Sequence, residues 1–310
     1  MRHLERIVVD RRAALRYMAG AAALAAGASR VVRTGAQATP SPLAGLGAPE
    51  LAITLTNQGY QAPAAAEAGW NLVTFHNQLA QDDGCDIMLI PQGETIDSVF
   101  AFVATPTASP TLPAWLFQTT FVGGPYAPAG GAAQALVRLA PGDWMVWSAG
   151  EAIPPAPLTV AAPAGSPAPE PTLTADVEVT MTEYAFNGLD AGIQPGAQLW
   201  KVTNGGAQPH FMILGKAPNG ATTDQLLASL NAEMTGTPAA NGLDLTKVPT
   251  TGGCTTLSAG QSLYLPLDLV AGSYAAVCFF PDEQTFVPHA MLGMATIFTV
   301  GAAGAATPTP

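Results

Sequence analysis

Short segments with a two-residue period recur along this chain. Val177-Glu178-Val179-Thr180-Met181 and Gln261-Ser262-Leu263-Tyr264-Leu265 alternate as half-buried strands do, with successive side chains on opposite faces. Segments such as Asp86-Ile87-Met88-Leu89-Ile90 and His210-Phe211-Met212-Ile213-Leu214 are more continuously apolar, and both are bounded by turn residues. Pro141-Gly142-Asp143 and Ala271-Gly272-Ser273 punctuate the later strands. Two stretches, Thr95 to Phe102 and Thr223 to Leu230, follow a glycine and a cap-like threonine and predict short helices. No βαβ pattern is present, so the chain reads as all-β, with antiparallel β-sandwiches and short helical excursions.

The pattern occurs twice. Trp70-Asn71-Leu72-Val73-Thr74-Phe75-His76-Asn77 corresponds to Gln198-Leu199-Trp200-Lys201-Val202-Thr203-Asn204. The apolar strands at 86–90 and 210–214 follow, then Gly123-Gly124 and Gly252-Gly253. The copies close on Pro157-Leu158-Thr159-Val160 and Ala295-Thr296-Ile297-Phe298-Thr299-Val300. Between them, 163–172 is rich in proline and alanine and reads as a semi-rigid linker. The expected organisation is an export signal over 1–38, domains at 49–162 and 173–300, and a low-complexity tail at 301–310. Independent sandwiches in tandem are expected, because a proline-rich linker crosses between them.

The N-terminus changes the charge picture. Arg11-Arg12, the small apolar run from Tyr17 to Ala28, and Ala36-Gln37-Ala38 resemble a twin-arginine export signal with its cleavage site. A retained membrane anchor is the other reading, although the run is short for a span. Cleavage before Thr39 leaves four basic residues (Arg138, Lys201, Lys216, Lys247) against twenty acidic ones, a formal charge of −16. That surface repels phosphate backbones and excludes nucleic acid as a partner, while favouring a basic protein. Three cysteines are too few for a disulfide framework.

Soft metal donors concentrate near the C-terminus. His210 follows Pro209, and Cys278, His289 and Met294 precede the final strand in that order. A thiolate, two imidazoles and a thioether form the donor set of an electron-transfer copper site. With this motif the second copy resembles a cupredoxin, the blue-copper fold, and the first copy echoes it without the ligands. Asp86 stands where His210 does, Ser148 where Cys278 does, and no histidine or methionine follows Ser148 before Pro157. The resemblance implies two cupredoxin-like antiparallel β-sandwiches in tandem. It also implies one type 1 copper ion at His210, Cys278, His289 and Met294 of the second copy only.

This chain departs from the family's usual spacing by placing ten residues between Cys278 and His289. A compact loop with Pro288 returning the chain accommodates them, since loop closure depends only slowly on length. Met291 competes with Met294 for the axial place. Phe211, Phe279 and Phe286 are candidates for walling off the site. Cys254 offers an alternative: a Cys254–Cys278 disulfide in an oxidising compartment would deny the thiolate to copper and leave a metal-free interaction scaffold. The resemblance implies an exported carrier of single electrons to a redox protein partner. Multicopper enzymes need additional histidines, and after cleavage only His76, His210 and His289 remain, so no enzymatic activity is expected.

Overall fold

The computed structural model describes residues 41–104, 112–148, 153–163, 165, 171–237 and 239–301. The export-signal segment, most of the 163–172 linker and residues 302–310 lie outside the described residues. The first half contains β1 (Glu50–Thr56), β2 (Gly59–Gln61), β3 (Ala65–Glu67), β4 (Gly69–Asn77), β5 (Asp83–Gly84) and β6 (Asp86–Leu89). Helices α1 (Ile96–Ala104) and α2 (Trp115–Gln118) follow, then β7 (Tyr126–Ala127), β8 (Ala132–Leu139), β9 (Gly142–Trp147) and β10 (Ala156–Ala161). The second half contains β11 (Val177–Thr182), β12 (Ala185–Asn187), β13 (Gly196–Asn204), β14 (His210–Lys216) and α3 (Thr223–Thr235). It ends with β15 (Thr250–Leu257), β16 (Ser262–Leu269), β17 (Gly272–Val277) and β18 (Ala295–Val300).

Local chemistry accounts for the best-defined helix. Thr222 and Gln225 form a reciprocal capping box at the start of α3, and Gly236, at a φ of 67°, takes the left-handed turn that ends it. Among the described residues no helix is long and apolar enough to cross a membrane.

The strand pairing corrects the expected architecture. One eight-stranded sheet runs β12-β11-β13-β16-β8-β4-β1-β2 through both halves, joined where Tyr264 of β16 pairs with Leu136 of β8. Two of the sheets, the eight-stranded one and β3-β10-β9-β6, are also mixed, because β1–β4, β3–β10 and β11–β13 are parallel pairs. The expectation of two independent, antiparallel β-sandwiches in tandem is therefore not met. What stands is a largely β fold with few short helices, whose main sheet is continuous. Two four-stranded sheets, β3-β10-β9-β6 and β15-β14-β17-β18, and the small β5-β7 ribbon complete it.

Burial explains why the halves join. The main apolar cluster is continuous and draws on both, from Ile53 and Phe75 to Val202 and Val277. On the other face of the long sheet, Trp70, Leu136, Leu199 and Tyr264 form a second cluster with Leu43. Further seams lie away from that sheet: Ser258 Oγ accepts from Phe121 N–H at 2.9 Å, and Asp86 Oδ1 accepts from Thr256 N–H at 2.8 Å. Dividing the halves would expose apolar surface and leave these polar groups without their partners.

Candidate metal centre

Strand register brings the first two donors together. Ile213 of β14 pairs antiparallel with Val277 of β17, so the start of β14 lies beside the residue that follows β17. His210 opens β14 and Cys278 follows β17, and Phe211 N–H points at Cys278 Sγ across 3.4 Å. The long loop then folds back as a hairpin. Pro281 bridges to Pro288, and His289 N–H donates to Phe280 O at 2.8 Å. Ala290 N–H donates to Cys278 O at 2.7 Å, which fixes His289 beside the cysteine.

A 3-10 turn over His289–Leu292 ends at Gly293, whose φ of 118° is a conformation that suits glycine. Met294 N–H then donates to His289 O at 2.9 Å, while Met294 O accepts from Cys278 N–H at 3.0 Å. Met294 is fully buried, whereas Met291 is half-buried.

The ligand atoms of His210, Cys278 and His289 lie within 4.8 Å of one another, and all three residues are buried. His210 Nδ1 and His289 Nδ1 are 2.9 Å apart, and Cys278 Sγ is 3.7 Å from His289 Nδ1. Among the described residues this is the one such group of three. Burial pushes His210 down to about 4; for His289, burial and then the neighbouring His210 push it down to about 3. Both rings are thus neutral at pH 7 and offer a lone pair, as metal ligation requires. Burial pushes the Cys278 thiol up to about 12, against the amides of Phe211 and Phe280 that favour its thiolate. A bound cation would reverse that preference by deprotonating the thiol. Two imidazoles and a sulfur converging in a buried pocket fit a soft or borderline transition metal such as copper.

Several residues around the cluster carry no motif and were not legible in the sequence. Asp282 Oδ2 accepts from Tyr184 OH at 2.7 Å and Gln208 Nε2 at 2.9 Å, while its Oδ1 accepts from Thr285 N at 2.7 Å. This network clamps the 278–289 hairpin to the turns before β12 and β14. Aromatic rings not singled out in the sequence also pack against the cluster. Phe280 lies 6.0 Å from the His289 ring, backed by Phe117 and Phe121 of the first half at 6.0 and 6.3 Å. Tyr184 approaches His289 to 5.0 Å, and Phe286 sits farther out against Phe117.

Among the described residues, the first half holds no equivalent cluster. Asp86 opens β6 and Ser148 follows β9, at the places that His210 and Cys278 occupy in the second half. Ser148 Oγ donates to Asp83 Oδ1 at 2.7 Å, so hard oxygen groups replace the soft donors. His76 is exposed on β4. Cys85, Cys254 and Cys278 are all free and buried, so the alternative Cys254–Cys278 disulfide is absent from the structure.

No family model matches the sequence, and no curated protein matches it. Among solved structures, the chain is similar at 18% identity to reduced auracyanin from Roseiflexus castenholzii, covering 40% of this chain and 94% of that one with a TM-score of 0.27. It is similar at 10% identity to a copper nitrite reductase from Nitrosomonas europaea, covering 84% and 95% with a TM-score of 0.22. A multicopper oxidase matches at 11% identity, covering 82% and 88% with a TM-score of 0.21. Superposition this weak carries no argument about fold or function. The expected cupredoxin membership is corrected accordingly: neither the continuous mixed sheet nor these comparisons establish it. The buried His-Cys-His group, beside a buried methionine, is what suggests a copper site of that type.

Proposed function

We propose that this protein binds one copper ion of type 1 character and carries single electrons. His210, Cys278 and His289 are the strong ligands, and Met294 is the weak axial one. The observation that carries the reading is the convergence of two neutral imidazole nitrogens and one thiol sulfur in a fully buried pocket. When bound, copper would supply a one-electron couple, Cu(I)/Cu(II), which a constrained soft donor set accommodates. The chain's own part is to exclude water with Phe280 and Tyr184 and to hold the three donors in place through the hairpin. The protein acts as a carrier rather than an enzyme, since a second copper centre would need histidines beyond those available. Export through the N-terminal signal and a basic redox partner, attracted by the acidic surface, complete the reading.

Reconstitution with Cu(II) tests it. An intense visible charge-transfer band is expected, and Cys278→Ser should abolish it because a hydroxyl does not replace the thiolate. Absorption that survives this substitution would remove Cys278 from the site. Met294→Leu should keep the band and raise the midpoint, as loss of a weak axial donor affects potential more than occupancy.

A further inference from the structure

His210 has one ring nitrogen turned into the donor cluster and the other turned away from it. Its Nδ1 lies 2.9 Å from His289 Nδ1, while its buried Nε2 makes no hydrogen bond and lies 3.6 Å from Glu183 Oε1. Glu183 occupies the short turn between β11 and β12, and the backbone holds its carboxylate in place. The same Oε1 accepts from Ala207 N–H at 2.5 Å and Gln208 N–H at 2.9 Å, on the turn that leads into Pro209-His210. Residue 206 is glycine where a β-carbon would come within 2.5 Å of that carboxylate oxygen. The His289 Nε2 is equally buried and unpartnered, but its neighbours are the Tyr184 and Phe280 rings. Glu183 stands 3.6 Å from the outer nitrogen of His210, whereas Asp282 and Glu183 act on His289 only from farther away.

We infer that Glu183 is the positioning residue of this centre: it keeps the His210 proton on Nε2, leaves the Nδ1 lone pair facing the metal, and biases a bound copper toward Cu(II). The reasoning is electrostatic. A carboxylate behind the ring stabilises an N–H directed at it and raises the donor strength of the opposite nitrogen. Its negative charge favours the more highly charged metal state. The Glu183 side chain is 33% exposed, but its two backbone donors hold it where the charge acts. The second half of this inference rests on the copper reading above; the tautomer does not.

Two measurements separate them. In the copper-free protein, imidazole 15N shifts at pH 7 should place the His210 proton on Nε2, and Glu183→Ala should give a mixture of tautomers. A wild-type His210 protonated on Nδ1 would overturn the inference whether or not copper binds. In the copper-loaded protein, Glu183→Gln preserves an acceptor for Ala207 and Gln208 but removes the charge. Cu(II) affinity should fall about tenfold relative to Cu(I), equivalent to a rise in midpoint of about 59 mV for one electron. A merely structural glutamate would leave that ratio unchanged in the Gln variant, and an unchanged ratio overturns the electrostatic role. Failure of the wild type to bind copper would defeat the functional reading while the 15N result still decides the role of Glu183.

Discussion

Asp86 occupies the seam between the two halves, where burial raises its carboxyl to about 6 despite hydrogen bonds from Thr256 and Thr255. The folded protein therefore binds this proton more tightly than the unfolded chain. The associated stability is complete below about pH 4, is lost as pH rises toward 6, and stays lost above it. Asp86→Asn keeps an oxygen for the Thr256 N–H while removing the buried charge. It should raise stability at pH 7.5 by at most about 3 kcal/mol and flatten the dependence between pH 4 and 6. Denaturant unfolding at both ends of that range checks the sign; a variant less stable than wild type at pH 7.5 would contradict it. The substitution leaves the copper donors untouched, so the visible band of the loaded protein should not change.

At the scale of the element, the hairpin from Cys278 to His289 decides whether the donors meet. Ten intervening residues impose a modest entropic cost of closure, offset here by backbone bonds at its base and by Asp282 at its tip. Burial alone would raise Asp282, but hydrogen bonds from Thr285, Gln208 and Tyr184 outweigh it and hold the group at about 2. Its stabilisation is therefore present above about pH 4 and lost as pH falls toward 2. Asp282→Ala should cost about 2 kcal/mol or more, since it removes a charged acceptor from several donors. It should also speed copper release, measured by transfer to a chelator, because the strap holding His289 is loosened. Release at the wild-type rate would show that the backbone bonds suffice.

At the scale of the whole molecule, the continuous sheet and shared core predict one cooperative unfolding transition. Cleavage within 163–172 should leave the halves associated, which gel filtration of the nicked protein would reveal. Two well-separated transitions, or fragments that elute apart, would contradict the shared core. The first half also contributes directly to the site, because Phe117 and Phe121 back Phe280. Phe121→Ala should therefore disturb the copper spectrum although it lies outside the half that holds the donors. Transfer to a basic partner should slow as salt rises, since exposed charges are screened beyond about 10 Å at 0.1 M.

The sequence by itself determined the strands and their repetition. The period-two segment at 177–181 became β11, the final strand runs from Ala295 to Val300 as read, and both predicted helices are present as α1 and α3. It also singled out His210, Cys278 and His289, because donor chemistry and chain order are local properties of residue type. Only the tertiary structure decided that the halves share a sheet: the Tyr264–Leu136 pairing and the Asp86–Thr256 bond join residues more than a hundred positions apart. The same is true of Glu183, Tyr184 and Asp282, common polar residues without a motif, whose importance comes from which group each one faces. Periodicity reports which face of a strand is buried, but not which strand lies beside it. Pairing and the outer surroundings of the donors are settled by long-range burial, and no local pattern encodes them.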